Sequence, residues 1–321
     1  MTIKDILSVM TVPDLKKYCT ACGLTGLSKC RKPELIEKAA EYMTSPEAIR
    51  AALLAIDEGE FKAFKKALRS PEGKVDGLMS ALFAAGLAAP DENGEGSVLA
   101  DELLGYDLSG LDKSFYNERK KLQLLSRYFR AFVLLYGVID LDTAGKLLNR
   151  YERMTMDASA LTDALEQLSA AEQLYRLMGE HIVLSDIADE GEDEVHEYLV
   201  QQGDKPYAIL PRQELLRYSD IGYIARPPQY KAFVSMLCGS YGMSLRKAQE
   251  FADMIVVMYN YGCESETPVD FAADSGIKFG GLEEGSEFVQ FGSQLANDTR
   301  TFLNRGYTPN ELHRLLAQKK G

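Results

Sequence analysis

The sequence predicts a mainly α fold: helical units, some of them closed by short β-hairpins, and a helical C-terminal domain. Three observations predict it. Apolar residues recur at helical spacing, as at Leu15, Tyr18, Cys19 and Cys22, which fall at i, i+3, i+4 and i+7. Cap-then-proline signals open several of these stretches, as in Ser45-Pro46-Glu47 and Thr308-Pro309-Asn310-Glu311. Strand-like runs are brief and flank turns, as in Leu174 to Leu177 and His181 to Leu184 around Met178-Gly179-Glu180.

The first element is a helix from Val12 to Cys22. Thr11 and Asp14 form its capping start, and Gly23 is placed to end it in a left-handed conformation. Lys16 and Lys17 point away from its apolar face. A basic loop around Lys29, Arg31 and Lys32 follows, and a second helix opens with Pro33 at its first position and buries Leu35, Ala39, Tyr42 and Met43. Its cap would then be Lys32, which cannot accept a hydrogen bond. The free amides beside three cations suit a phosphate, because helix N-termini favour anions; water on an ordinary cationic surface is the plainer alternative.

The string LKKYCTACGLTGLSKCRKPELIEKA, Leu15 to Ala39, resembles the N-terminal helical domain of the Rho transcription termination factor and, less closely, the SAP domain. In those families the loop and the start of the second helix meet the nucleic-acid backbone. The resemblance thus implies weak nucleic-acid contact, DNA or RNA, through Lys29, Arg31 and Lys32, with Lys16, Lys17 and Lys38 as flanking cations. It does not extend to the Rho motor, since no G-x-x-x-x-G-K-[ST] string occurs.

Charge limits that contact. Met1 to Met43 carries a net +2 while the whole chain is at −12, so the remainder is at −14. A body so acidic repels phosphate over about a Debye length. With about three phosphates neutralised, the salt dependence is shallow and the affinity weak.

From Thr44, helices are expected over Ala51 to Leu68 and Val75 to Ala85, then a turn at Asp91 to Gly96 and an apolar stretch at Ser97 to Leu99. The pattern recurs with helices Leu122 to Tyr136, Asp142 to Arg150 and Ala158 to Ala171 before the two strand-like runs. Both stretches read as winged-helix-like units, a degenerate pair spanning 44–108 and 109–188, after the small helix-loop-helix module 1–43. A winged helix that reads DNA sends its third helix into the major groove. Here that helix carries Asp163 and Glu166, the wrong sign for phosphate, so the unit reads as a packing or protein-interaction unit. Arg119-Lys120-Lys121, with Arg127 and Arg130, is the one other basic cluster; its apolar companions Leu122, Leu125 and Phe129 favour a solvated helix face over a nucleic-acid site.

An acidic run, Asp186 to Glu197, lacks calcium-loop spacing and reads as a solvated linker or helix face ahead of a helical C-terminal domain, 189–321. Helices are expected there at Tyr230 to Cys238, Ser244 to Tyr259, Ser286 to Leu303 and from Pro309. Asn297, Arg300 and Asn304 share a helical face, read as a polar network holding the last helix or a small binding surface. The closing segment, Asn297 to Leu312, resembles that of uncharacterised helical bacterial proteins, many from Gram-positive species.

Cys19, Cys22 and Cys30 invite a zinc reading that fails for want of a fourth ligand, since the histidines, His181, His196 and His313, lie far along the chain. No metal, cofactor or catalytic residue is expected, and no nucleophile elbow, H-E-x-x-H motif or dinucleotide fingerprint is present. Five cysteines without a secretory signal point to the cytoplasm. No apolar run reaches membrane-spanning length. The expectation is a non-enzymatic nucleic-acid-associated protein whose acidic body binds a protein partner. The alternative is a protein-interaction scaffold without nucleic-acid binding.

Overall fold

The computed structural model describes residues 1–169, 171–263 and 267–320. The chain is mainly helical, with two three-stranded antiparallel sheets, and forms two compact units. Unit 1 holds Met1–Ser126 and Ser159–Gln173; unit 2 holds Arg127–Ala158 and Leu174–Gly321.

Unit 1 begins with α1 (Ile3–Ser8), α2 (Val12–Ala21) and α3 (Lys32–Met43). The first of these has no counterpart in the sequence reading, although Thr2 and Asp5 cap it reciprocally. Leu15, Cys19, Leu35, Ala39 and Met43 are buried as their spacing predicts. The helix expected over Ala51 to Leu68 is instead two, α4 (Pro46–Ala55) and α5 (Glu58–Ala67). Asp57 divides them, its carboxylate accepting from the Glu60 amide at 2.7 Å, so a cap competes successfully with helix continuation.

The helix expected over Val75 to Ala85 also divides. Lys74–Asp76 is β1, Gly77 turns the chain at φ +90°, and only Ser80–Ala84 is helical, as α6. A β-branched residue at Val75 pairs outward to the sheet because Val75 lies opposite Ser97 on β3 (Gly96–Leu99). With β2 (Ala88–Pro90) the strand order is β1-β3-β2. The unit's aromatic core includes Phe61, Phe64 and Phe115, all 2% exposed or less.

Helix α7 (Lys113–Tyr136) contributes its first part to unit 1 and its second to unit 2, and α9 (Ala158–Leu168) belongs to unit 1 from Ser159 onward. Ala170, inside the expected helix Ala158 to Ala171, lies outside the described residues.

Arg119 on α7 is 3% exposed, which removes it from the basic surface cluster drawn from the sequence. Its guanidinium donates to the carbonyls of Leu53, Ile56 and Asp57 at 2.7, 2.6 and 2.8 Å and lies 4.3 Å from the Phe61 ring centroid. The carbonyls that end α4 have no partners within their own helix, and a five-donor fork satisfies several together.

In unit 2, β4 (Val138–Asp140), β5 (Tyr175–Met178) and β6 (His181–Leu184) form the second sheet, in the order β4-β6-β5. The β5–β6 hairpin turns at Gly179, φ +57°, where the sequence placed it. The edge strand β4 went unforeseen because three residues, Val138-Ile139-Asp140, give too short a period to read. α8 (Leu141–Glu152) follows it, and the acidic run forms α10 (Ser185–Asp189) and α11 (Glu192–Gln202). Buried Gln202 donates from one amide nitrogen to the carbonyls of Tyr136 and Phe302, at 2.8 and 2.9 Å, joining distant parts of the unit.

α12 (Arg212–Leu215) leads into a 3-10 turn at Leu216–Ser219. A second apolar cluster packs α13 (Tyr230–Ser240), α14 (Leu245–Tyr261), α15 (Thr267–Asp274) and α16 (Leu282–Asn297) around Phe233, Ile255 and Phe288. α16 stops at Asn297 rather than running to Leu303, since Thr301 caps a separate 3-10 turn at Phe302–Asn304. Arg300 therefore stands in a connection. The shared helical face with Asn297 and Asn304 is thereby lost, but Arg300 itself holds the last helix, donating to Glu311 on α17 (Pro309–Lys320) at 2.7 and 3.2 Å. The capping box that opens α17 is formed, with Thr308 and Glu311 exchanging hydrogen bonds at 3.1 and 3.2 Å.

Candidate nucleic-acid interface

The α2–α3 elbow is fixed from below by its apolar faces and from the side by the rest of unit 1. Tyr18 donates its hydroxyl to the Ala85 carbonyl at 3.2 Å, and a Cβ on Gly86 would lie 2.3 Å from the Met43 methyl. The module is thus seated on the turn after α6. Burial pushes the Tyr18 hydroxyl far above the ordinary tyrosine range, so it stays a neutral donor.

Gly23 and Gly26, both at φ +73°, shape the loop between the helices. There Lys29 and Arg31 are exposed, as are Lys17 on α2 and Lys38 on α3, while Lys16 and Lys32 are half-buried. Lys16 reaches across to the Ser28 carbonyl at 3.3 Å, one residue before Lys29 in the loop. Lys32 turns the other way and donates to the Ser8 carbonyl at 2.6 Å, at the C-terminal end of α1. A cation there complements the negative end of a helix dipole, so Lys32 has structural employment that Lys29 lacks.

Among the described residues, none of these six cations has a carboxylate within ion-pair distance. The nearby acid Glu37 pairs with Lys4 at 2.6 Å. No side-chain ion pair therefore ties up these cations.

The start of α3 departs from the sequence reading. Lys32 is the first helical residue, Arg31 is the cap, and Pro33 occupies the second position. The Glu34 carboxylate turns back to accept from the Arg31 amide at 2.8 Å. An internal anion therefore sits at the helix N-terminus, a feature present in the sequence as Pro33-Glu34 but not used there. Any phosphate at this end shares the space with Glu34.

Cys19 is buried, with its thiol toward the Leu35 carbonyl at 3.9 Å, and burial raises the thiol pKa values of Cys19 and Cys22. Protonated thiols at these two positions behave as small apolar groups.

In the second basic cluster, the inward turn of Arg119 leaves Lys120 and Lys121 exposed. Comparison of the chain with protein-family models, curated proteins and solved structures finds no match to any of them.

No helix among the described residues is long and apolar enough to cross a membrane.

Proposed function

We propose that this protein is a non-enzymatic, nucleic-acid-associated protein that holds backbone phosphates weakly through the α2–α3 elbow, while its acidic remainder engages a protein partner in the cytoplasm. The observation that supports the reading most is the exposure of Lys29 and Arg31 without carboxylate partners, in a chain whose net charge is −12. Lys16 and Lys17 extend the same surface. The resemblance of Leu15 to Ala39 to the Rho and SAP modules agrees with a backbone contact rather than a base-reading one.

The test is a titration of the full chain against labelled single-stranded and duplex DNA and RNA at two salt concentrations. Lys29→Glu with Arg31→Glu is the informative variant, because neither side chain has a structural hydrogen bond, whereas Lys32 holds Ser8. Binding by the parent and its loss in the double variant support the proposal. Retained binding in the variant moves the contact elsewhere, and no binding by the parent favours the protein-scaffold alternative.

A further inference from the structure

Unit 2 contains a cavity of about 810 Å³ whose walls come from the 3-10 turn after α12, the Asp220 to Pro228 connection, α14 and the start of α17. Four arginines line it, and they fall into two classes. Arg226 is held by Asp253 through two hydrogen bonds at 2.9 and 2.7 Å, and Arg300 by Glu311 in the same bidentate manner at 2.7 and 3.2 Å. These pairs are rigid walls.

Arg217 and Arg314 have no carboxylate partner among the described residues. Arg217 lies over the Tyr223 ring, 4.4 Å from its centroid, which fixes the guanidinium plane while leaving its N–H edge free. Arg314 uses only Nε, donating to the Asn310 carbonyl at 3.1 Å. Its terminal nitrogens remain available.

Two lining carboxylates are likewise uncompensated by charge. Asp298 accepts only from neutral amides, those of Gln229 and Asn310 at 2.5 and 2.9 Å, and Asp220 accepts from the Gly222 backbone at 3.0 Å. Tyr218, 5% exposed, lies behind this lining, in the field of Arg300, Glu214 and Glu311.

We propose that this cavity binds a small zwitterion of the amino-acid or short-peptide class, its carboxylate held by Arg217 and Arg314 and its ammonium by Asp220 and Asp298. A polyanion such as a nucleotide triphosphate meets these same carboxylates, with Glu214, at unfavourable sign, and a polyamine meets the two free guanidiniums. Only a ligand carrying both charges satisfies both sets. The proposal is independent of the elbow, which lies in the other unit.

The experiment is a calorimetric titration of the full chain with triglycine, run beside succinate and putrescine at equal ionic strength. Triglycine is expected to bind saturably, with the two single-sign probes at least about tenfold weaker. Arg217→Ala with Arg314→Ala is expected to weaken triglycine by about tenfold or more while the unfolding midpoint stays at the parent value. Asp220→Asn, at an exposed turn, gives a second arm with the same expected direction, and Arg246→Ala, outside the cavity, binds as the parent does. Absence of saturable triglycine binding, equal binding of succinate or putrescine, or full binding by the double arginine variant overturns the proposal.

Discussion

Glu152, at the end of α8, accepts hydrogen bonds from the Tyr128 hydroxyl at 2.5 Å and from Arg212 Nε at 2.6 Å. One carboxylate thereby joins α7, α8 and the start of α12 within unit 2. Burial alone would raise its pKa, but the two donors and the Arg212 charge outweigh burial and hold it below the ordinary glutamate value of 4.5. A depressed carboxylate contributes stability that is whole above 4.5 and is lost as pH falls through the folded-state value. Glu152→Gln is therefore expected to cost about 1 kcal/mol near neutral pH, a figure kept small because Arg212 is partly exposed. Urea unfolding across the acid range reads both effects, and the variant should show the shallower pH slope.

Arg119→Ala leaves the end of α4 without its donors and opens a void beside Phe61. The expected cost is about 2–4 kcal/mol, combining unsatisfied carbonyls with lost stacking. Arg119→Lys restores the charge without the fork, so most of the loss remains. Chemical denaturation of the three proteins checks the ranking.

Gly137 lies between α7 and β4 at φ +71°, and a Cβ there would fall 2.9 Å from the Phe302 ring. Both the backbone region and the space exclude a side chain. Gly137→Ala is expected to lower stability by about 2–4 kcal/mol, visible as a drop in thermal midpoint.

If about three phosphates are neutralised at the elbow, the logarithm of the binding constant should fall with that of salt at a slope of about −2 to −3. Glu34→Gln keeps an acceptor for the Arg31 amide but removes the anion at the α3 N-terminus. It should tighten nucleic-acid binding about two- to fivefold. Fluorescence anisotropy over a salt series measures both, and weaker binding by the variant would contradict the role assigned to Glu34.

The helix faces and caps were legible where several signals agreed within a few residues. Thr11, Gly23, Thr308 and Glu311 are local devices, and a local device can be read without knowing what lies across from it. The misread stretches were those settled by partners distant in sequence. Val75 is a strand residue because β3 is there to pair with it, and the apolar residues around it fit a short helix equally well. Arg119 looked like surface because its neighbours Lys120 and Lys121 are, and only the carbonyls of Leu53 to Asp57, some sixty residues earlier, draw it inward. At the elbow, the sequence supplied the cations but not the opposite turns taken by Lys16 and Lys32. The cavity of unit 2 was invisible for the same reason, since Arg217, Asp298 and Arg314 come from three separate stretches of chain. Arg300, Thr308 and Glu311 stand out in the sequence, but as a network and a helix cap rather than as walls of a cavity.

The seating of Tyr18 and Met43 on the Ala85–Gly86 turn has a geometric corollary. Cations at the end of a floppy leash can sweep a volume and search for a target, at the cost of stiffening once they find it. This loop is instead carried on two helices packed against the rest of unit 1. On the proposed reading, a phosphate backbone meets Lys29 and Arg31 on an elbow whose two helices are already seated.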